Sequence, residues 1–168
     1  MMSLLKKEIE LSNNQKKAYK ELIAEIKNAR IKQGLIYLIG EFGSGKTTMM
    51  KYYLDKNFDN PEDYYIPINE RLIEYLKNNE NYEVLHLLRD TTKNLMIDYL
   101  KNLLSEHFKK HSLLFLDNIE LLLEYNVNLN SIIGGTAIDG KVCIVSLPKE
   151  LSKHANLIIF GKVYLGIR

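Results

Sequence analysis

The sequence predicts a three-layer α/β domain, a mostly parallel five-stranded sheet with helices on both faces. Three observations carry this. Five strand-sized apolar stretches recur along the chain: "LIYLI", "YYIPI", "LLFLD", "VCIVS" and "LIIFGKVYL". Segments with helical periodicity separate most of them, the alternation that a parallel sheet with helical crossovers produces. A glycine-rich stretch, "GEFGSGKTT" from Gly40 to Thr48, joins the first strand directly to a helical segment.

From Ser12 to Arg30 apolar residues recur three or four apart at Ala18, Leu22, Ile26 and Ala29, which predicts an amphipathic helix. Ser12 or Asn13 is its expected cap. Leu35–Ile39 is a short continuous apolar run after Gly34 and reads as a buried strand. The loop follows, and "KTTMMKYYLDK" continues as a helix. Tyr64–Ile68 is the second strand, weakened by Pro67, which cannot donate to a ladder. A short helix is expected near Glu70–Lys77 and a longer helical stretch from Tyr82 to Lys110, with room for one break. Leu113–Asp117, Val142–Ser146 and Leu157–Leu165 complete the strands. No internal repeat, low-complexity tract or linker interrupts them.

With 168 residues the expectation is one domain spanning 1–168: an N-terminal helical segment to residue 34, then a core over 35–165. Hydrophobic residues make up 46% and charged residues 26%, ordinary values for a globular chain. The apolar runs fall far short of the ~20 residues of a membrane span, and "MMSLLKKEIELSNNQ" has no apolar signal-peptide region. A single cysteine, Cys143, excludes an internal disulfide and fits a reducing compartment. Its apolar context reads as a buried small hydrophobe rather than a reactive thiol. These bounds point to the cytoplasm and to no membrane partner. A net charge of +2 does not by itself call for nucleic acid. The pairs Lys6-Lys7, Lys16-Lys17 and Lys109-Lys110 read either as solvated helix faces or as phosphate-backbone contacts. Arginine is confined to Arg30, Arg71, Arg89 and Arg168. The histidines show no metal spacing, and His86 reads as a packed core or boundary residue.

Gly40-Glu41-Phe42-Gly43-Ser44-Gly45-Lys46-Thr47 matches G-x-x-x-x-G-K-[ST] at every fixed position. Its glycines permit torsions that let successive backbone N–H groups point inward around a phosphate. The helix that opens at the loop adds the positive end of its dipole. Lys46 is placed to reach the outer phosphates as a point charge, and the Thr47 hydroxyl to ligate Mg²⁺. A strand before the motif and a helix after it supply the context the motif needs. Gly40 through Thr48 is therefore the candidate nucleotide-binding set.

Such a loop needs an acidic group at the end of a neighbouring strand to hold magnesium. Asp117 ends "LLFLD" at the carboxyl side, where ligands bind in open α/β sheets; capping the next helix is its alternative reading. Asn118 follows, a side chain that can orient a water but cannot accept its proton. Glu120 lies about one helical turn beyond Asp117. It reads either as a carboxylate aimed at the γ-phosphate or as a solvated first-turn glutamate favouring the helix dipole.

"GEFGSGKTT" together with "LLFLDNIELLL" and the five strands resembles the core of the AAA+ and STAND-type P-loop ATPases, the class with an inserted strand between the loop strand and the acidic strand. The resemblance covers roughly Leu35 to Leu165. It implies the strand order 5-1-4-3-2 and a polar sensor at the tip of the fourth strand. Ser146 occupies that position, with capping of the following "PKELSKH" turn as the alternative. In that class a glutamate usually follows the acidic aspartate, where this chain has Asn118. Two further departures stand out: no arginine lies between Asp90 and Ile167, and no helical lid domain is expected after the fifth strand. A lidless P-loop protein of this size also resembles the small P-loop component of type 3 BREX phage-defence systems, which implies work with a larger assembly on DNA.

Guanine-reading Asn-Lys-x-Asp and D-x-x-G patterns are absent, so ATP is the expected nucleotide, with Mg²⁺. Gln15 is a candidate adenine contact or an ordinary helix-face residue. The reading is an ATP–Mg²⁺-binding domain in which Lys46, Glu120, Asn118 and Ser146 act on the reacting groups, and Thr47 and Asp117 hold the metal. Turnover is expected to be slow or completed by a partner, a larger protein or further copies of the chain, with DNA reached directly or through it. Lys149 or Lys153 is a candidate stand-in for the absent arginine. The alternatives are a non-hydrolysing assembly switch and a small nucleotide or metabolite kinase. Against the kinase, the segment "LNSIIGGTAIDGK", where a lid would fall, carries no arginine.

Overall fold

The structure, a computed structural model, describes residues 9–31, 34–152 and 161–165. Lys6, Lys7, Lys153, His154, Arg168 and the first residues of the expected fifth strand lie outside them. Five parallel strands, β1 (Leu35–Gly40), β2 (Tyr65–Pro67), β3 (Leu113–Asp117), β4 (Val142–Pro148) and β5 (Gly161–Leu165), form one sheet in the order β2-β3-β4-β1-β5. Read from the other edge, this is the expected 5-1-4-3-2.

The side-chain period of two divides each central strand between two cores. Ile36, Leu38, Phe115, Ile144 and Val163 face α1 (Asn13–Ala29) and α2 (Lys46–Asn57), meeting Ala18, Leu22, Ile26 and Ala29 of α1. Leu35, Tyr37, Ile39, Leu114, Leu116, Cys143 and Val145 face α3 (Ile68–Lys77), α4 (Arg89–Phe108), α5 (Glu120–Glu124) and α6 (Leu129–Gly134). Both faces of the sheet are covered, which is why these strands read as unbroken apolar runs. α7 (Lys149–Ser152) follows β4 directly.

Local chemistry explains where the elements differ from the sequence reading. β2 keeps only three residues, because Tyr64 closes a 3₁₀ turn from Pro61 and helix α3 starts at Ile68. Pro67 sits at the end of an edge strand, where its missing N–H costs little. The Tyr82–Lys110 stretch does break once. A 3₁₀ helix over Tyr82–Leu87 precedes α4, and the buried Thr92 hydroxyl donates to the Leu85 carbonyl at 2.7 Å across the break. The 3₁₀ winding carries His86 outward, so it is exposed rather than packed in the core or at its boundary. Ser12 caps α1 in a capping box: its hydroxyl accepts from the Gln15 N–H while Gln15 Oε1 accepts from the Ser12 N–H.

Cys143 is fully buried between the sheet and its helices, and burial pushes its thiol well above the ordinary range. A disulfide reagent such as DTNB is therefore expected to leave the native protein unmodified and to titrate one thiol in denaturant. Labelling of the native chain within minutes would contradict this packing.

Candidate nucleotide-binding site

All five strands run in one direction, so their carboxyl ends share one side of the sheet, where α/β folds place ligands. Gly40 ends β1 and Asp117 ends β3, with β4 between them. There a cleft of about 350 Å³ is lined by Phe42, Gly43, Gly45, Lys46, Thr47, Thr48, Asp117, Asn118, Glu120 and Ser146, together with Pro148. Ten of the expected site residues thus meet in one cavity, brought from the loop, β3, β4 and α5.

The loop's backbone explains its sequence. Gly45, the residue before α2, has φ +91, a left-handed conformation that L side chains rarely adopt. A Cβ there would also lie 2.1 Å from Gln15 Nε2, so the α1 cap packs directly on the loop. Gln15 is tied to Ser12 through its Oε1 and to the loop through this approach. At Gly40 a Cβ would come within 2.4 Å of Ser44 Oγ, a buried atom that has no hydrogen-bond partner among the described residues. Gly40, Glu41 and Ser44 thus shape the loop from outside the cavity wall.

Lys46 is only 8% exposed, and its ammonium donates to the carbonyls of Gly40 and Glu41 at 2.8 Å each. Burial lowers its pKa below the ordinary lysine value, and the charges of Glu150, Asp117 and Glu120 counter part of that shift. A buried ammonium with a third N–H to offer, beside a glycine loop at a helix N-terminus, suits a phosphate.

Asp117, 3% exposed, accepts from the Thr47 hydroxyl at 2.5 Å and from the Tyr65 hydroxyl at 2.8 Å, both on Oδ2. Its Oδ1 accepts from the Asn118 N–H at 3.0 Å. It does not cap α5, whose N-cap is Ile119 with no side-chain bond. A hydroxyl and a carboxylate in contact suit Mg²⁺, which takes one or two protein oxygens and completes its shell with water and phosphate. Among the described residues no group of three or more His, Cys, Asp or Glu forms a closed metal cage.

Asn118 has φ 54, in the left-handed region where asparagine is enriched. This turn redirects the chain so that Glu120, first residue of α5, enters the cleft. Glu120 is thus a first-turn residue and a cleft residue at once. Ser146 is 3% exposed and lies opposite Leu38 of β1. Its strand runs on to Pro148 before α7 starts, so Ser146 is not the tip of β4 and does not cap the turn after it.

Two residues of this neighbourhood escaped the sequence reading. Asn69 donates through Nδ2 to Glu120 Oε2 at 2.9 Å and accepts through Oδ1 from the Leu121 N–H at 3.1 Å, while its own N–H bonds the Asn118 carbonyl at 3.0 Å. Tyr65 reaches Asp117. Both lie about fifty positions from their partners, and only the pairing of Pro67 with Asp117 across β2 and β3 brings them near. Burial, then the bond to Asp117, raises the Tyr65 phenol above its ordinary pKa, so it stays a donor.

No arginine is among the cleft-lining residues. Arg89 donates to the Glu124 carbonyl and lies 4.8 Å over the Tyr125 ring. Lys149 stands 4.0 Å from Glu41 on the loop's outer side, and Glu150 Oε1 accepts from the Phe42 N–H at 3.3 Å. The segment considered for a lid instead forms α6, with Leu129, Ile132 and Ile133 buried in the core.

Gly45→Ala is expected to lower stability in urea unfolding by ~1–3 kcal/mol, the scale of a strained left-handed residue, and to weaken nucleotide binding. An alanine variant as stable and as tightly binding as the parent would show that the loop does not need this torsion.

No curated protein matches the chain. Among solved structures it is similar to PCH-2 of C. elegans, at 17% identity and a TM-score of 0.47, with 94% of this chain and 44% of that one covered. The chain thus spans less than half the length of that protein. The model of the family described as "AAA domain" matches residues 29–153, from the end of α1 through α7. Well over half of the sequence, including the glycine loop, β3 and β4, falls within that match, and the chain belongs to this family of P-loop ATPase domains.

Proposed function

We propose that this protein binds ATP with Mg²⁺ in the cleft, hydrolyses it slowly by itself, and uses the bound state to regulate association with a larger partner. The observation that carries the reading is the convergence of Lys46, Thr47 and Asp117 with Glu120 held by Asn69, in a cleft wall without arginine. Lys46 and the loop amides would bind the outer phosphates, and Thr47 and Asp117 would hold the metal. Mg²⁺ held there would supply charge neutralisation to the phosphates.

The remaining residues would manage the attacking water. Glu120 is the group there that can take a proton; its Oε2 is spent on Asn69, which leaves Oε1 for the water. Asn118 and Ser146 can orient the water but not deprotonate it. A stabilising arginine is worth ~10³–10⁵ in phosphoryl-transfer rate, and its absence from the cleft wall favours completion by a partner or by a second copy of the chain. The same observation favours a second reading, a nucleotide-dependent switch that does not hydrolyse.

For the partner we propose a larger assembly acting on DNA, following the resemblance to the small P-loop component of type 3 BREX systems. Contact with DNA through that assembly fits the charge better than direct binding. Lys16 and Lys17 on α1 and Lys109 and Lys110 in the turn after α4 are exposed, and Lys109 is paired with Glu106 at 2.5 Å.

Phosphate release by the purified protein tests the reading. Turnover is expected well below the ~10 s⁻¹ typical of enzymes, to disappear in Lys46→Ala and Asp117→Ala, and to fall a further ~10²–10⁴-fold in Glu120→Ala. Binding without any turnover would select the switch. Fast turnover that is indifferent to Glu120 would overturn both readings.

A further inference from the structure

The Asp117 carboxylate receives one more hydroxyl than the loop provides. Tyr65 opens β2 and pairs with Phe115 of β3, which brings its phenol alongside the end of that strand. Its hydroxyl donates to Asp117 Oδ2 at 2.8 Å, the oxygen that also takes the Thr47 hydroxyl at 2.5 Å. The Tyr65 ring lies 5.2 Å beneath Lys51 Nζ, and Lys51 stands one turn after Thr47 on α2. The phenol is thus held at its face by α2 and at its tip by Asp117.

We infer that Tyr65 is a positioning residue that fixes the Asp117 carboxylate for the divalent cation accompanying the nucleotide; this rests on the nucleotide-binding reading above. An ionised carboxylate offers about four acceptor sites. Three are taken, by Thr47 and Tyr65 on Oδ2 and by the Asn118 N–H on Oδ1. Donors on both oxygens stop rotation about Cβ–Cγ and leave Oδ1 to face a cation or its water. Mg²⁺ demands near-ideal octahedral geometry and gives up water reluctantly, so a carboxylate free to swing meets it poorly. Removing the phenol hydroxyl leaves Oδ2 to the Thr47 hydroxyl alone, the one donor that would itself be drawn to the metal, and so loosens the carboxylate without removing a metal ligand.

The test is the Mg²⁺ dependence of equilibrium binding of a fluorescent ATP analogue to the intact chain, measured from EDTA to millimolar Mg²⁺. Tyr65→Phe keeps the ring, its contact with Lys51 and the strand pairing. It is expected to bind the metal-free analogue within twofold of the parent and to need ~10-fold or more Mg²⁺ for half-maximal tightening, the scale of lost outer-shell partners. Lys51→Ala, at an exposed position, loosens the ring without touching the hydroxyl and is expected to move the midpoint the same way by a smaller step. Parent-like Mg²⁺ midpoints in both variants would overturn the inference and leave the nucleotide reading standing. A parent protein that binds no analogue at any Mg²⁺ concentration would overturn the reading itself.

Discussion

A carboxylate buried at the end of a central strand has to be solvated by the protein, and much of this molecule is arranged around that requirement. Desolvating an ion costs several kcal/mol even after relaxation, and Asp117 is 3% exposed. Its donors come from three directions: Thr47 from the helix after the glycine loop, Tyr65 from the edge strand, and the Asn118 N–H from its own chain. Each is neutral, so the negative charge is stabilised without being cancelled. Lys46, also buried, contributes at longer range, and the carboxylate in turn offsets part of that lysine's desolvation. Two opposite charges line one cleft, each satisfied by hydrogen bonds rather than by the other.

The turn that follows Asp117 decides which side chains enter the cleft. Asn118 adopts a left-handed conformation that glutamate tolerates less well than asparagine. The residue next to the aspartate is therefore matched to its backbone, and the next carboxylate to line the cleft is Glu120 at the start of α5. Asn69 then ties Glu120, the Leu121 amide and the Asn118 carbonyl into one knot at the start of α3. A carboxylate fixed in this way has little freedom to move. A displacement of α3 relative to α5 would change the surroundings of Glu120 without touching the glycine loop.

Most of the fold was legible because the chain states it twice, in hydrophobic period and in turn chemistry. Ala18, Leu22, Ile26 and Ala29 are the buried stripe of α1, and the apolar runs of β1, β3 and β4 are covered on both faces. The loop and Asp117 were legible because their chemistry is local: torsions only glycine adopts, then a lysine and a hydroxyl at fixed spacing. What stayed hidden depended on tertiary pairing. Asn69 and Tyr65 meet their partners only because a three-residue edge strand aligns with β3. His86 was misjudged because a 3₁₀ turn, rather than an α-helix, carries it outward. Ser146 was set too near the end of its strand, since an apolar run gives no sign that β4 continues through Leu147 to Pro148.

The measurement that bears most directly on this account is a calorimetric titration of Mg–ATP into the parent protein and into Lys46→Ala, whose lost ammonium is the buried cation of the cleft. Charge-assisted hydrogen bonds of ~1.5–3 kcal/mol predict a parent that binds at one site and a variant weakened ~10- to 100-fold. Equal heats and equal affinities in the two proteins would contradict the placement of the phosphates on this loop.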